Sequence, residues 1–352
     1  MHLTRTLTLI TLLIAAFFSV SCIKVKKESK ADVLLKVENA TQAELIGDIN
    51  RFANVNSIHA KMDLKFEDNS FAAFGSKEVY RQADGDVTVM RPGKILLKVQ
   101  VPVIKSDVAQ MTSDGEKFRV AILQDGGTGK YKKFVKGTNS ADYSKLQKQL
   151  TEAELADLKA SKQSVNAFAN MRPQHFTDAL LVRPTDQDHL YVQSTIYEHE
   201  EDTSVDPKSP IRYVTRGYYL VDEYAKKGDQ SVISRRFWFD RVGGIRLARQ
   251  QIFDAKGEIE SDIVYGKAGT LSGGGATAVD LPLAITVTRL KEKYSLKFTY
   301  QNPENVLIGR DFPAEAFVLQ NTWNLEEMDL DKRLAELGGV QPAETKAVTT
   351  TH

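Results

Sequence analysis

Between Ile58 and Phe66 every second residue is apolar: Ile58, Ala60, Met62, Leu64 and Phe66 alternate with His59, Lys61, Asp63 and Lys65. A period of two places one set on each face of a strand, so this segment has one buried and one wet face. The pattern returns at Ile95, Leu97, Val99 and Val101, and at Phe118, Val120 and Ile122. Strand patterns also run over 189–198, 211–223, 231–240, 244–254, 258–266, 284–290 and 293–301. Turn residues punctuate them: Asp84-Gly85, Pro92-Gly93, Ser113-Asp114-Gly115, 240–244, Asp254 to Gly257, and Lys291-Glu292. Short turns between many strands predict one large antiparallel sheet.

Helical signals are fewer. Thr41 and Glu44 have capping-box spacing, and Leu45, Ile46, Ile49, Phe52 and Ala53 follow at helical spacing, which predicts a helix over 42–54. Leu146, Leu150, Leu155, Leu158 and Phe168 sit among Lys, Gln, Glu and Ala with no glycine from 138 to 170. That composition predicts a helical insertion over about 141–181, closing in a short helix near 175–181 before Pro184. Gly269 to Ala276 reads as a flexible glycine-rich loop, Leu325 to Leu337 as a last helix, and 338–352 as a frayed tail. Neither a repeat nor a Pro-rich hinge interrupts the chain, so one domain is expected. The fold class is α+β: a curved antiparallel sheet, or unclosed β-barrel, with helices covering its concave face. Those few helices would leave part of an apolar concavity for a ligand.

The N-terminus sets the location. Arg5 precedes an uncharged stretch from Leu7 to Val20, followed by Ser21 and Cys22, the only cysteine. This is the layout of a secretory signal, and the apolar run is short for a membrane span. Cys22 after Ser19-Val20-Ser21 resembles the bacterial lipobox, whose cysteine receives lipid and becomes the mature N-terminus. The lipobox usually has Leu where Ser19 stands. The alternative, an ordinary signal beside an incidental thiol, would export an unpaired thiol into an oxidising compartment. The expected layout is a signal peptide over 1–21, a lipidated tether over 22–40, a folded domain over 41–325, and a C-terminal helix and tail over 326–352. Lys24, Lys26, Lys27 and Lys30 lie in the tether, where they either touch anionic head groups or are simply solvated. Lys+Arg number 47 against 46 Asp+Glu, and loss of Arg5 with the leader makes the two equal. A balanced chain argues against a nucleic-acid partner.

Met90-Arg91-Pro92-Gly93-Lys94-Ile95-Leu96-Leu97, then Ser113-Asp114-Gly115-Glu116-Lys117-Phe118, resemble the opening strands of the LolA/LolB-like lipoprotein-localisation superfamily. Phe237-Trp238-Phe239-Asp240, and Arg249 to Asp254 leading into Gly257-Glu258-Ile259, are similar to later strands of that family. The resemblance covers roughly residues 41–320 and rests on turn and strand punctuation. It implies an unclosed β-barrel whose helices plug a hydrophobic cavity that takes acyl chains. This chain departs from the family in its longer stretch at 141–181 and longer hairpin around 199–230. Ile23 stands where Asp resembles an inner-membrane retention signal, which points to the periplasmic face of the outer membrane.

Catalytic patterns are not found. His199-Glu200-Glu201-Asp202 lacks the second histidine of a zinc-protease helix, since position 203 is Thr, and reads as a solvated acidic hairpin loop. Gly126-Gly127-Thr128-Gly129-Lys130 lacks the Gly and the Ser/Thr of a phosphate loop, with Gln124 and Tyr131 in those places. The aromatics Tyr213, Tyr218, Tyr219, Tyr224, Phe237, Trp238, Phe239 and Phe253 suit either a core or an acyl-chain lining. The expectation is a non-enzymatic, lipid-anchored envelope protein without metal or cofactor, whose partners are the membrane and a lipid or acylated protein. Its expected lining is Ile58, Ala60, Met62, Leu64, Ile95, Leu97, Val99, Phe237 and Phe239. On this reading a charged residue at Met62 or Leu97 abolishes ligand binding and spares the fold. The alternatives are an envelope sensor or interaction protein of the same fold without bound lipid, and a hydrolase with an unrecognised site.

Overall fold

The computed structural model describes residues 33–68, 78–79, 83–124, 129, 132–141, 143, 146, 173–203, 205–209 and 211–337. Cys22, the leader, most of the 141–181 insertion, the 126–128 glycines and the tail after 337 lie outside these residues. The described residues fall into two compact units, one of 33–35 with Glu198–Arg216, the other of Lys36–Tyr197 with 217–337.

In the first unit, β1 (Val33–Leu34) pairs in parallel with Val214 and Thr215. The segment expected to be a plain tether therefore ends in a strand. Arg212 binds Glu201, and Arg216 Nε lies 3.1 Å from Glu200 Oε2. The expected acidic loop is instead a strand end with its carboxylates paired.

The second unit is built on a large curved sheet. Its centre is β2 (Ser57–Asp68), the strand with the clearest alternation. On one side of β2, after the short β3 (Glu78–Val79), the chain runs through β4 (Ala83–Met90), β5 (Lys94–Gln100), β6 (Asp107–Asp114), β7 (Lys117–Ile122) and β8 (Lys133–Thr138), each antiparallel to the last. On the other side lie β9 (His189–Glu201) and β10 (Tyr213–Lys227), then β11 (Gln230–Asp240), β12 (Arg246–Phe253) and β13 (Ile259–Tyr265). A separate hairpin, β14 (Ala268–Gly273) and β15 (Ala276–Pro282), precedes β16 (Ala284–Arg289) and β17 (Tyr294–Tyr300), which returns to β2. A short β18 (Leu307–Ile308) also pairs with β2, and β19 (Glu326–Asp329) adds in parallel to β8. Among the described residues no ladder joins β19 to β9, so the sheet is not closed.

Among the described residues, the α-helices α1 (Gln42–Ala53), α2 (Pro173–Leu180) and α3 (Leu330–Leu337) accompany it. The capping box forms as expected, with Thr41 N donating to Glu44 Oε2 at 2.7 Å. α2 touches β4, β5 and β6 as well as β16, and Phe176 meets Phe298 of β17 edge-on at 5.4 Å. A helix of two turns reaches both arms of a sheet only where the sheet bends around it.

Three local readings are corrected. Asp84-Gly85 lies inside β4 and is no turn, because a Cβ at Gly85 would stand 2.8 Å from Leu64 Cδ1 across the ladder. Glycine is there to let Leu64 lie flat against its neighbour strand. Residues 269–276, expected to be a flexible loop, form the end of a hairpin whose register shifts between Gly269 and Leu271. Residues 326–329, expected to be helical, are a strand, because Lys133 and Lys136 of β8 attract Glu326, Glu327 and Asp329 into the ladder. The Pro92-Gly93 and Asp114-Gly115 turns do form, and they are neighbours. A Cβ at Gly115 (φ 104°) would lie 2.8 Å from Pro92 O, which explains why these two motifs belong together.

Candidate functional site

The inward face of the sheet collects the apolar set. All nine residues expected to line a cavity lie in one buried cluster, none more than 4% exposed. The ladder aligns Met62 with Gly85 and Tyr300, and Val87 with Leu97 and Ala60. Their outward neighbours Lys61, Asp63 and Lys65 face water or lie half-buried. The cluster is packed, and of the nine only Ile58 borders the apolar void within it.

That void is small, about 10 Å³, and apolar groups converge on it from four directions. α1 and the turn after it contribute Phe52 and Val55. α2 and its exit contribute Ala179, Leu180 and Val182, and the β14–β15 hairpin contributes Leu271, Leu281 and Pro282. The sheet supplies Ile58, Tyr265, Ile285 and Tyr300. Burial pushes the phenols of Tyr265 and Tyr300 well above the ordinary tyrosine value, as expected where the surroundings disfavour a phenolate. The Phe52 ring packs on Tyr265 with centroids 6.2 Å apart. Room of this size holds about one water, so a larger guest enters only if one of the covering elements moves.

Two arginines hold the exit of α2 against the sheet. Arg91, from the turn that resembles the family motif, donates through Nη2 to the carbonyl of Val182. Arg235 of β11 donates to the next two carbonyls, Nη1 to Arg183 O at 2.7 Å and Nη2 to Pro184 O at 3.0 Å. Its charge is matched by Glu223, directly opposite on β10, with Nε donating to Oε1 at 2.8 Å and Nη2 reaching Oε2. Ser234 Oγ and Tyr191 OH also donate to Glu223, at 2.6 and 2.9 Å. Burial acts to raise the Glu223 pKa, but Arg235, Ser234 and Tyr191 outweigh it and hold the carboxyl below its usual range. The same environment pushes Tyr191 up to about 12, by burial first and then by the neighbouring Glu223. Asp178 on α2, 3.5 Å from Arg183 Nε, is closely surrounded by protein yet keeps 31% of its side chain accessible; burial raises its pKa.

Sequence reasoning missed this arginine–glutamate pair and the void's helical and hairpin walls. Glu223 and Arg235 stood in predicted strands, and their meeting depends on the hairpin turn after Lys227 together with a register shift between Glu223 and Tyr224, which passes over Ser234 and sets Arg235 opposite Glu223. Among the described residues no group of three His, Cys, Asp or Glu is placed to hold a metal ion, and no helix is long and apolar enough to cross a membrane.

No family model matches the chain, and no curated relative matches it. Among solved structures it is similar to a LolA superfamily protein from Nitrosomonas europaea, at TM-score 0.39 and 10% identity, covering 80% of this chain and 99% of that one. It is also similar to an outer membrane lipoprotein-sorting protein domain from Vibrio parahaemolyticus, at TM-score 0.38 and 9% identity, covering 78% and 95%. A DUF1329 family protein from Desulfovibrio piger aligns at TM-score 0.37 and 10% identity, covering 78% and 94%.

Proposed function

We propose that this is a non-enzymatic envelope protein, lipid-anchored through Cys22 at the outer membrane, that carries or accepts a lipid acyl chain or an acylated protein. The void carries the reading: it is lined only by apolar and aromatic side chains, and the elements around it are separate pieces of chain. α1 and α2 cover the concave face and the β14–β15 hairpin closes one end. The apolar cluster beneath, including Met62, Leu97 and Phe237, is the wall that an entering chain would meet. Each methylene moved from water into such a site contributes about 0.8 kcal/mol. About five methylenes therefore offset an opening that costs about 4 kcal/mol. The closed form is the empty state, and the guest replaces the packing that it displaces.

Native mass spectrometry of the full chain extracted in mild detergent tests this. The expected result is a bound species heavier than the protein by one acylated molecule, released on denaturation. Protein that stays free of lipid after extraction, and takes up none from added vesicles, favours the sensor alternative.

A further inference from the structure

A second cavity, of about 350 Å³, lies on the α1 side of the void. Both are bordered by Phe52 and Pro282, so these two side chains are the partition between them. The outer cavity is lined by two cations and two anions, Arg51, Arg246, Asp48 and Asp280. Arg51 Nε sits 3.3 Å from Asp48 Oδ1, and its Nη1 donates to Val279 O at 3.0 Å. Arg246 Nη2 lies 3.1 Å from the buried Asp240 Oδ2, and its Nη1 donates weakly to Gly266 O at 3.4 Å. A guanidinium has five N–H donors, so both retain donors after these bonds, and both side chains are accessible, at 36% and 42%. Asp280 is exposed and forms no ion pair among the described residues.

An acyl chain entering past Phe52 leaves its polar head in this outer cavity. Resting on the reading of the void as the acyl site, we infer that the head is a phosphoethanolamine, so that the guest is a diacyl phospholipid carrying one phosphate and one ammonium. The phosphate suits Arg51 and Arg246, whose planar donors match its oxygens. The ammonium suits Asp280, with Asp48 adding to the negative field. A purely anionic head would place a second negative charge against Asp280, and a neutral head would leave all four groups without a new partner.

The test uses the full chain and vesicles that carry pyrene-labelled phosphatidylethanolamine, phosphatidylglycerol or diacylglycerol with identical chains. Phosphatidylethanolamine is expected to bind about tenfold tighter than the other two, the scale of a charge-assisted hydrogen bond or two. Arg246→Gln should bring it down to the diacylglycerol level. Asp280→Asn, a replacement that tolerates the φ of 54° there, should remove the preference over phosphatidylglycerol. Equal uptake of all three, or a preference that both variants retain, overturns the head-group assignment and leaves the acyl site standing. Uptake of none overturns both.

Discussion

Replacing Arg235 by methionine is expected to cost about 3–5 kcal/mol of stability, because the change strands Glu223 in the interior without its counter-charge. Both side chains are 3% exposed, so water cannot take over the lost partner. A second change, Glu223→Met, should recover most of that loss. About 1–3 kcal/mol should remain missing, because the carbonyls of Arg183 and Pro184 lose their donors. The pair also has a pH signature. Glu223 is held below its ordinary value of 4.5, so its contribution is complete above that value and is lost as pH falls through the lowered one. Asp178, whose pKa burial raises, acts in the opposite sense, and because the charge of Arg235 lowers that pKa, its loss in the double variant widens the same divergence. Denaturant midpoints measured from neutral to acid pH should show the wild type losing stability over the parent's acid range relative to the double variant. Parallel curves would show that the pair does not hold the α2 exit.

Phe52→Ala is the second large effect. The ring is 7% exposed, packs on Tyr265, lies 5.0 Å beneath the Arg51 guanidinium and separates the outer cavity from the void. Truncating a buried Phe costs about 3–5 kcal/mol, and here it also joins the two spaces. If entry is gated by this ring, an opening made easier by about 1.4 kcal/mol speeds uptake about tenfold. Stopped-flow uptake of a fluorescent fatty acid at a temperature where the variant remains folded reads this directly. Unchanged uptake would place the entrance elsewhere. A charged residue at Met62 or Leu97, by contrast, separates binding from folding poorly. Both side chains are at most 1% exposed, and an unpaired charge there costs enough to threaten the fold itself.

What could be read from residues alone follows from the range of the forces involved. Thr41 and Glu44 interact three residues apart, so the capping box of α1 was legible. The alternation of Ile58 to Phe66 was legible because burial acts on each residue of a strand independently. Glu326 to Asp329 were misread because their strand state comes from Lys133 and Lys136, almost two hundred positions away. Asp84-Gly85 carried a turn signature that Leu64 on the neighbouring strand overrides. The nine residues expected to line a cavity lie in one buried apolar cluster. Their tight packing was not legible, because the hairpin that helps to fill the space looked like a loop. Arg235 and Glu223 carried no signal of their own, because only the ladder sets them opposite each other beside the exit of α2.

The most direct measurement is photo-crosslinking of the full chain with a diazirine-labelled fatty acid, followed by peptide mapping of the adducts. Adducts should fall on Phe52, Ile58, Leu180, Leu271 and Tyr265, the side chains that meet around the closed void. Labelling confined to exposed apolar positions such as Leu190, Ile211 or Val279, with the interior untouched, would contradict an acyl site beneath the helices.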